Sequence, residues 1–265
     1  MSRTILITGA TDGLGRALAT RAYREDWDVL AHGRSEERLA ALADELPGVR
    51  TFRADFAALG EVAELAEAVQ ASTDRLDVLV SNAGIGFTNP GDGARLESAD
   101  GYELRFAVNY LAGYSLTRRL LPLLRASAPA RIVQVASAGQ YPIDFRDVML
   151  ERGYEGTRAY RQSKLAQIMF TFDLAAELDP AEVTANALHP GTFMPTKMVT
   201  EEGISPLTPL EHGLDATWRL IADPELDGVS GVYFDQTRRT RPEGQALDAD
   251  DRRALHELSE RLTGV

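Results

Sequence analysis

The chain of 265 residues is long enough to bury the core of one large α/β domain. With 44% apolar and 26% charged residues it has the balance of a globular protein, which excludes disorder, a coiled coil and a collagen-like fibre. The net charge of −12 argues against nucleic acid or an anionic membrane as a partner, and the lack of cysteine excludes disulfides, thiolate nucleophiles and cysteine-bound metals.

No apolar run reaches the roughly 18 to 20 residues that a membrane-spanning helix needs. The apolar stretch near the start, ILI, is too short for the core of a signal peptide and is followed at once by a glycine-rich turn. We therefore expect a protein without a membrane span, in a reducing, cytoplasmic compartment.

Along the chain, short aliphatic and β-branched runs alternate with helix-length segments. This alternation is typical of parallel βαβ units, and it predicts one α/β domain in which helices cover both faces of a doubly wound parallel sheet of about seven strands. The predicted strands are 4–8, 28–32, 49–54, 77–81, 131–137, 183–188 and 231–234. The predicted helices are 14–24, 35–45 (capped by Ser35), 59–72, 100–124, 158–177, 209–222 and 248–262.

The first predicted strand runs directly into TGATDGLG, ahead of an amphipathic helix. Glycines at such a turn let the backbone approach a pyrophosphate, whose charge is stabilised by the free N–H groups of the helix N-terminus. The spacing is TGxxxGxG rather than GxGxxG, so the motif indicates either a dinucleotide site or simply a tight strand-to-helix turn. The candidate cofactor-binding residues of this loop are Gly9, Thr11, Asp12, Gly13, Leu14 and Gly15.

The second predicted strand ends in His32-Gly33-Arg34, without the acid that commonly binds the ribose hydroxyls of NAD. Arg34 is suited to a charge-assisted contact with a 2′-phosphate, which favours NADP(H) and leaves NAD(H) as the alternative. Asp12 in the glycine loop would repel that phosphate by an amount comparable to what Arg34 contributes. A solvated cation at the start of a helix is the other interpretation of Arg34.

Tyr160 and Lys164 are four residues apart in AYRQSKLAQ, so a helix places both on one face. A free tyrosine titrates near about 10, so acid–base chemistry near neutral pH requires a nearby cation that stabilises the phenolate. Lys164 is a candidate for that cation. Tyr-x-x-x-Lys is also common in helices without any function, and it gains weight only in combination with other motifs.

Taken together, five motifs resemble the short-chain dehydrogenase/reductase superfamily over nearly the whole chain. They are TGATDGLG, Asn82-Ala83-Gly84 after the fourth strand, Ser137 after the fifth, YRQSK, and His189-Pro190-Gly191 after the sixth. The segments VNYLAGYSLT, YRQSKLAQ and HPG are most similar to the branch that contains retinol dehydrogenases and WW-domain oxidoreductase. The resemblance implies a single NAD(P)-binding Rossmann domain over residues 1–265, which transfers a hydride between NADP(H) and a carbonyl/alcohol pair.

The resemblance also implies a role for each matching residue. Tyr160 would be the general acid/base, Lys164 would lower its pKa and bind the nicotinamide ribose, and Ser137 would hydrogen-bond the substrate oxygen. Asn109 would hold a water in the proton relay, with a hydrogen-bonded core residue as the alternative. The remaining implied cofactor contacts, for which a helix cap or a strand-ending turn is the alternative, are Asp55 and Phe56 at the adenine, Asn82, Ala83 and Gly84 on the cofactor floor, and Pro190, Gly191 and Thr192 near the nicotinamide.

Two irregular segments are expected around the substrate. Ser137 and Tyr160 are 23 residues apart, farther than in many members of the superfamily, so residues 138–158 form an enlarged loop. We expect this loop to wall the pocket, with Tyr141, Phe145 and Tyr154 either contacting substrate or packing the loop. Residues 191–209 hold three prolines and two glycines with little periodicity, which indicates a substrate lid.

Two other functions fit the same fold. A regulatory protein that senses a dinucleotide can dispense with the tyrosine and lysine that this chain retains, and an epimerase or lyase would return the hydride without net turnover. The four histidines show no metal-ligand spacing, so we expect no metal. The expected partner is a small carbonyl or alcohol substrate. The resemblance also allows a homodimer or homotetramer, through the helices at 100–124 and 158–177 that serve as subunit contacts in many members, although members of this branch differ in this respect.

Overall fold

One mixed sheet of eight strands organises the computed structural model, which describes residues 2–201 and 203–265. The strands are β1 (Thr4–Ile7), β2 (Asp28–Gly33), β3 (Arg50–Arg53), β4 (Val78–Ser81), β5 (Ala130–Val135), β6 (Val183–His189), β7 (Val232–Asp235) and β8 (Arg238–Arg239). Their order across the sheet is β3-β2-β1-β4-β5-β6-β7-β8, with β8 antiparallel to β7 and all other pairs parallel. The seven predicted strands are confirmed, and the eighth is a two-residue addition at the edge.

The seven predicted helices are present, with shifts at their ends. The helices of the structure are α1 (Gly13–Arg24), α2 (Glu36–Glu45), α3 (Leu59–Ser72), α4 (Leu104–Phe106), α5 (Ala112–Ala126), α6 (Gly156–Glu177), α7 (Lys197–Thr200), α8 (Leu210–Ala222) and α9 (Ala249–Thr263). The helix predicted at 100–124 is divided into α4 and α5, and the short α7 forms in the stretch predicted to be irregular. Ser35 caps α2 by accepting a hydrogen bond from the Arg38 N–H, as predicted. The helix predicted from residue 100 begins at Leu104 instead, because the Glu103 side chain caps it by accepting from the Phe106 N–H.

The core consists of two apolar layers, one on each face of the sheet. Strand residues alternate between them: Leu6, Leu30 and Leu79 pack with α3, α5, α6 and α9, whereas Ile5, Ile7 and Val80 pack with α1, α2 and α8. Both faces of the sheet are therefore buried, as a doubly wound α/β domain requires.

The position of a binding site follows from the strand order. The chain moves from β1 outward to β3 on one side and from β4 to β7 on the other, so the order reverses between β1 and β4. Connections that diverge at this point leave a crevice outside the carboxyl ends of the strands, where ligands of such sheets bind.

The last helix packs against the two helices that were expected to carry a subunit contact. Tyr110 and Ser259 share a hydrogen bond of 2.7 Å, and Arg252 donates to Asp173 on α6 at 3.0 Å. This face of α5 and α6 is thus covered by the chain's own α9. In the described ranges, no helix has the length and apolar character that a membrane crossing requires.

Candidate active site

A cavity of about 1510 Å³ runs along the carboxyl ends of the parallel strands, in the crevice that the strand order creates. It brings together almost every residue that the sequence singled out, although they come from seven separate segments. Those that line it are Gly9, Thr11, Asp12, Gly13, Leu14, Arg34, Asp55, Phe56, Asn82, Ala83, Gly84, Ser137, Tyr160, Lys164, Pro190, Gly191 and Thr192. Gly15 and Asn109 are not among the lining residues and lie behind its wall.

The glycine loop joins β1 to α1 at one end of the cavity. Gly13 has a φ of +49°, a backbone conformation that residues with a Cβ rarely adopt. A Cβ on Gly15 would lie 2.1 Å from the Gly9 carbonyl oxygen, so only glycine lets α1 approach the end of β1 this closely. Asp12 caps α1 by accepting from the Gly13 N–H at 2.7 Å.

The corner beside the glycine loop contains two guanidinium groups. Arg34 and Arg38 both line the cavity, and Arg38 donates to the Asp12 carboxylate at 3.5 Å, while Lys197 lies 4.0 Å from the same group. The negative charge of Asp12 is therefore partly balanced by two cations. Glu37 also lines this corner, an acid that the motif His32-Gly33-Arg34 does not include.

A buried histidine supports the glycine loop from below. His32 accepts a hydrogen bond from the Gly9 N–H through Nδ1 and donates from Nε2 to the Ala54 carbonyl, at 3.3 and 3.1 Å. Its ring stacks on Phe56 at a centroid distance of 4.3 Å. Burial lowers the pKa of His32 to about 4, so the ring is neutral at physiological pH. Asp55 next to it accepts from the Ala57 N–H in a local turn.

The turn after β4 is tied to the glycine loop by side-chain hydrogen bonds. The Asn82 amide donates to the carbonyl oxygens of Thr8 and Gly9, at 2.9 and 3.3 Å. The Thr8 hydroxyl in turn accepts from the N–H groups of Asn82 and Ala83. These bonds hold the Asn82-Ala83-Gly84 turn against the carboxyl end of the first strand.

At the other end of the cavity Ser137 and Tyr160 line the same wall, with the Ser137 hydroxyl next to the Tyr160 phenol. Burial raises the pKa of Tyr160 and the Ser137 hydroxyl lowers it, with burial the larger effect, so the phenol keeps its proton near neutral pH. The Ser137 backbone is fixed by a hydrogen bond of 3.0 Å from the Tyr233 hydroxyl, and its Oγ accepts from the Gly139 N–H. A phenol and a serine hydroxyl therefore lie side by side on the wall of the cavity.

Lys164 lies one helical turn beyond Tyr160, as the spacing predicts. Its Nζ is 5.8 Å from the centroid of the Tyr160 ring. The ammonium donates to the Val135 carbonyl at 3.0 Å and to Gln167 Oε1 at 2.9 Å. Burial lowers the pKa of Lys164 to about 7.

Asn109 lies in a π-helical turn, Ala107–Leu111, between α4 and α5. Such turns are rare in proteins, and those that occur are often found at functional sites. Its side chain accepts from the Ile85 N–H at 2.8 Å and donates to the Ile85 carbonyl and to Ser163 Oγ. These contacts place the amide directly behind the Gly84-Ile85 segment that lines the cavity, and its expected role in a water relay stays a prediction.

The segment after β6 folds over the cavity. His189 contacts the Thr192 hydroxyl through Nε2 at 3.1 Å, and burial lowers the pKa of His189. Residues 192 and 193 pair with 208 and 207 through backbone hydrogen bonds, which closes the irregular stretch into a loop. Within it, α7 places Met198 and Val199 on the cavity. Glu202, which belongs to the expected lid, lies outside the described residues.

The enlarged loop contributes a buried ionic network that the sequence did not reveal. Arg105 and Glu103 are completely buried, 3.8 Å apart, and both contact the Tyr154 hydroxyl. The Arg105 guanidinium also donates to the carbonyls of Gly86 and Phe87. Tyr154 therefore packs the loop instead of facing the cavity, and no periodicity or motif distinguishes Arg105 from a surface arginine.

Comparisons with known proteins agree with this geometry. Residues 3–205 match the model of the family described as short chain dehydrogenase. Human retinol dehydrogenase 14 is 36% identical over 99% of this chain and 87% of its own length. The WW domain-containing oxidoreductase of Danio rerio is 30% identical over 98% of this chain and 68% of its own.

Solved structures share the fold. An uncharacterised protein from Mycobacterium paratuberculosis has a TM-score of 0.78 and 29% identity, over 99% of this chain and 94% of its own. A short-chain dehydrogenase of Shigella flexneri in complex with NADP has a TM-score of 0.71 and 25% identity, over 88% and 96% of the two chains. Fold, site and sequence therefore agree that the chain belongs to the short-chain dehydrogenase family, in its retinol dehydrogenase-like branch, and is an oxidoreductase of CH–OH and C=O groups.

Proposed function

We propose that this protein is an NADP(H)-dependent oxidoreductase that interconverts a carbonyl compound and its alcohol, with Tyr160 as the general acid/base. The observation that carries the proposal is the cavity itself, which brings the neighbouring hydroxyls of Ser137 and Tyr160 together with Lys164 and the glycine loop. Residues 1–265 then form one dinucleotide-binding domain, with residues 138–158 walling the substrate pocket and 191–209 covering it.

The residues at the glycine loop fit a dinucleotide. Gly15 allows the close approach of α1 that a Cβ would block, and the N-terminus of α1 supplies free N–H groups for a pyrophosphate. Next to the loop, the positive charges of Arg34 and Arg38 favour a cofactor with a 2′-phosphate over one without it. Asp12 opposes this preference less than its position in the sequence implies, because Arg38 and Lys197 neutralise part of its charge.

When bound, the nicotinamide ring supplies the hydride for reduction or accepts it in oxidation. Tyr160 donates its phenolic proton to the carbonyl oxygen of the substrate as that oxygen gains negative charge. The Ser137 hydroxyl donates a hydrogen bond to the same oxygen and stabilises the charge. The Lys164 ammonium then stabilises the phenolate that remains, until a proton from solvent restores Tyr160.

The substrate side of the cavity favours an apolar molecule. Its wall beyond Tyr160 is built by Phe87, Leu104, Val108, Met198, Val199 and Ile204. Burying a hydrocarbon chain or ring against such side chains is favourable by about 25 cal/mol per Å² of apolar surface. The relatives named retinol dehydrogenase and polyprenol dehydrogenase support an apolar alcohol or its carbonyl form as the substrate class.

The test measures loss of nicotinamide absorbance with NADPH, and separately with NADH, against a panel of apolar ketones, aldehydes and quinones. We expect turnover with NADPH and a loss of about 10²- to 10⁴-fold in Tyr160→Phe, which lacks only the transferable proton. Tyr141→Phe is the matched control, because Tyr141 is 43% exposed and contacts Arg158 on the enlarged loop.

Each alternative function predicts a different result in this experiment. Equal turnover rates in Tyr160→Phe and the unmodified protein would show that Tyr160 is not the general acid/base. Cofactor binding without turnover would favour a sensing function, and altered substrate without net cofactor consumption would favour an epimerase or lyase.

A further inference from the structure

The ammonium group of Lys164 lies among neutral groups at the bottom of the cavity. Its side chain is 4% exposed, and Nζ donates to the Val135 carbonyl at 3.0 Å and to Gln167 Oε1 at 2.9 Å. Gln167 is itself 2% exposed. Its Nε2 lies 3.5 Å from the side-chain oxygen of Gln134, a third buried polar residue, so two glutamines stand in series behind the lysine.

We propose that Gln167 is a positioning residue for the reaction, whose side-chain oxygen keeps Lys164 protonated and oriented toward Tyr160. An ammonium has three N–H donors. Val135 and Gln167 accept from two of them, which leaves the third directed to the cavity that Lys164 lines. The consequence for catalysis rests on the proposed function, in which the charge of Lys164 stabilises the Tyr160 phenolate.

No opposite charge near Lys164 assists in keeping it protonated. In the described part of the chain, the titratable group facing it from α6 is Tyr160 itself. β5 presents the Val135 carbonyl and the Gln134 amide, and the turn after β4 presents Gly84, with the neutral Asn109 amide behind it. His189 on β6 lines the same cavity and is held by Thr192.

This neutral setting gives the Gln167 oxygen a large effect on the charge. Burial lowers the pKa of Lys164 to about 7, so the ammonium and the amine are close in free energy at neutral pH. A hydrogen-bond acceptor favours only the charged form, since the ammonium donates more strongly than the amine. Its loss therefore shifts the population toward the amine, which has no charge to offer the phenolate.

Two substitutions change this acceptor in opposite directions. Gln167→Met keeps the length and volume of the side chain but removes the amide oxygen, and we expect the pKa of Lys164 to fall by about one pH unit. Gln167→Glu replaces the amide with a carboxylate at the same distance and should raise that pKa by at least as much. A merely structural role would not produce shifts of opposite sign.

The measurement uses a property of this sequence: Lys164 and Lys197 are its two lysines. Lysine labelled at Cε and Nζ then gives two sets of NMR signals, which Lys197→Arg assigns, and each is titrated with pH in the full-length protein. The matched control is Gln162→Met, because Gln162 is a completely buried glutamine on the same helix whose amide donates to Val148 on the enlarged loop.

We expect the Lys164 signal to titrate lower in Gln167→Met, higher in Gln167→Glu and unchanged in Gln162→Met. The descending alkaline limb of the kcat profile for carbonyl reduction should move the same way in each variant. Unchanged titration of Lys164 in both Gln167 variants would overturn the inference, as would shifts of the lysine that leave the kcat profile in place.

The result is separate from the proposed function. The titration needs neither cofactor nor substrate, so it reports on Gln167 even if no compound is turned over. If Gln167→Met does not fold, the upward shift expected in Gln167→Glu decides the question alone.

Discussion

Arg105 donates a hydrogen bond of 2.8 Å to the carbonyl oxygen of Phe87, and its guanidinium group is completely buried. The ring of Phe87 packs edge-on against Tyr160, with 6.2 Å between the ring centroids. The buried Arg105 side chain thus holds the segment around Phe87, which forms part of the proposed substrate wall, in place. The catalytic tyrosine proposed here receives one of its packing contacts from that segment.

Arg105→Met is therefore expected to destabilise the protein and to slow turnover. It leaves the Glu103 carboxylate buried without its partner, which costs about 3–5 kcal/mol of unfolding free energy. Urea denaturation followed by circular dichroism measures the loss. Arg146→Met is the control, because the Arg146 side chain is 91% exposed and its pair with Asp144 lies in solvent, so that variant should remain within about 0.5 kcal/mol. Equal stability of the two variants would contradict the account of the buried network.

Cofactor choice should depend on both arginines of the corner. We expect Arg34→Asp to raise the KM for NADPH by about 10- to 100-fold, since it removes a charge-assisted contact and adds repulsion, and to change the KM for NADH far less. Arg38→Met should act in the same direction, because it removes a second cation and releases Asp12 from its ion pair. Arg16→Met is the control, because Arg16 on α1 forms a half-exposed ion pair with Glu45 at the end of α2 and does not line the cavity. An unchanged KM for NADPH in both variants would show that the 2′-phosphate binds elsewhere.

Ser137→Ala tests the hydroxyl that faces Tyr160. Loss of one preorganised donor to a developing oxyanion costs about 10²- to 10³-fold in kcat, whereas cofactor binding should be unchanged because the variant removes no group near the glycine loop. Steady-state rates and NADPH fluorescence titration measure the two quantities separately. A parallel loss of NADPH binding would show that Ser137 acts on the structure of the cavity and not on the substrate oxygen.

The loss of stability at acidic pH should depend on His32. Its pKa lies at about 4 in the folded protein against 6.5 for a free histidine, so between these pH values the unfolded chain binds the proton and the folded one does not. The free energy of unfolding then falls as pH decreases through this window, by about 2 kcal/mol between pH 7 and pH 5. His32→Gln has no proton to take up there, so the difference in stability between the two proteins should narrow over the same interval. A constant difference in urea denaturation at pH 7, 6 and 5 would show that the folded histidine titrates normally.

The sequence predicted those parts of the molecule that local rules decide. Alternating apolar runs gave the seven parallel strands, and the Ser35 cap and the ends of most helices followed from side-chain chemistry near in sequence. The glycine loop, Ser137, Tyr160 and Lys164 were identifiable because their spacing repeats a family pattern, and they line one cavity.

The rest depends on contacts between residues far apart in the chain. The balance between Arg34 and Asp12 could not be judged from sequence, because Lys197 reaches Asp12 from a segment 185 residues away. The π-helical turn at Asn109 forms where its amide meets Ile85, and Gln167 looks like any buried helix residue until Lys164 is seen beside it. Tertiary hydrogen bonds of this kind leave no periodic trace in the sequence.

The position of α9 has a consequence for how the chain is synthesised. α9 covers the aromatic cluster of Tyr110, Tyr114 and Phe170, which lies behind the helix that bears Tyr160 and Lys164. Strands β1 to β4 can pair as soon as they emerge from the ribosome, but the outer face of that helix stays uncovered until translation has passed Thr263. The dinucleotide half of the fold can therefore form before α9 is made, whereas the helix that bears Tyr160 and Lys164 is covered only once α9 is present.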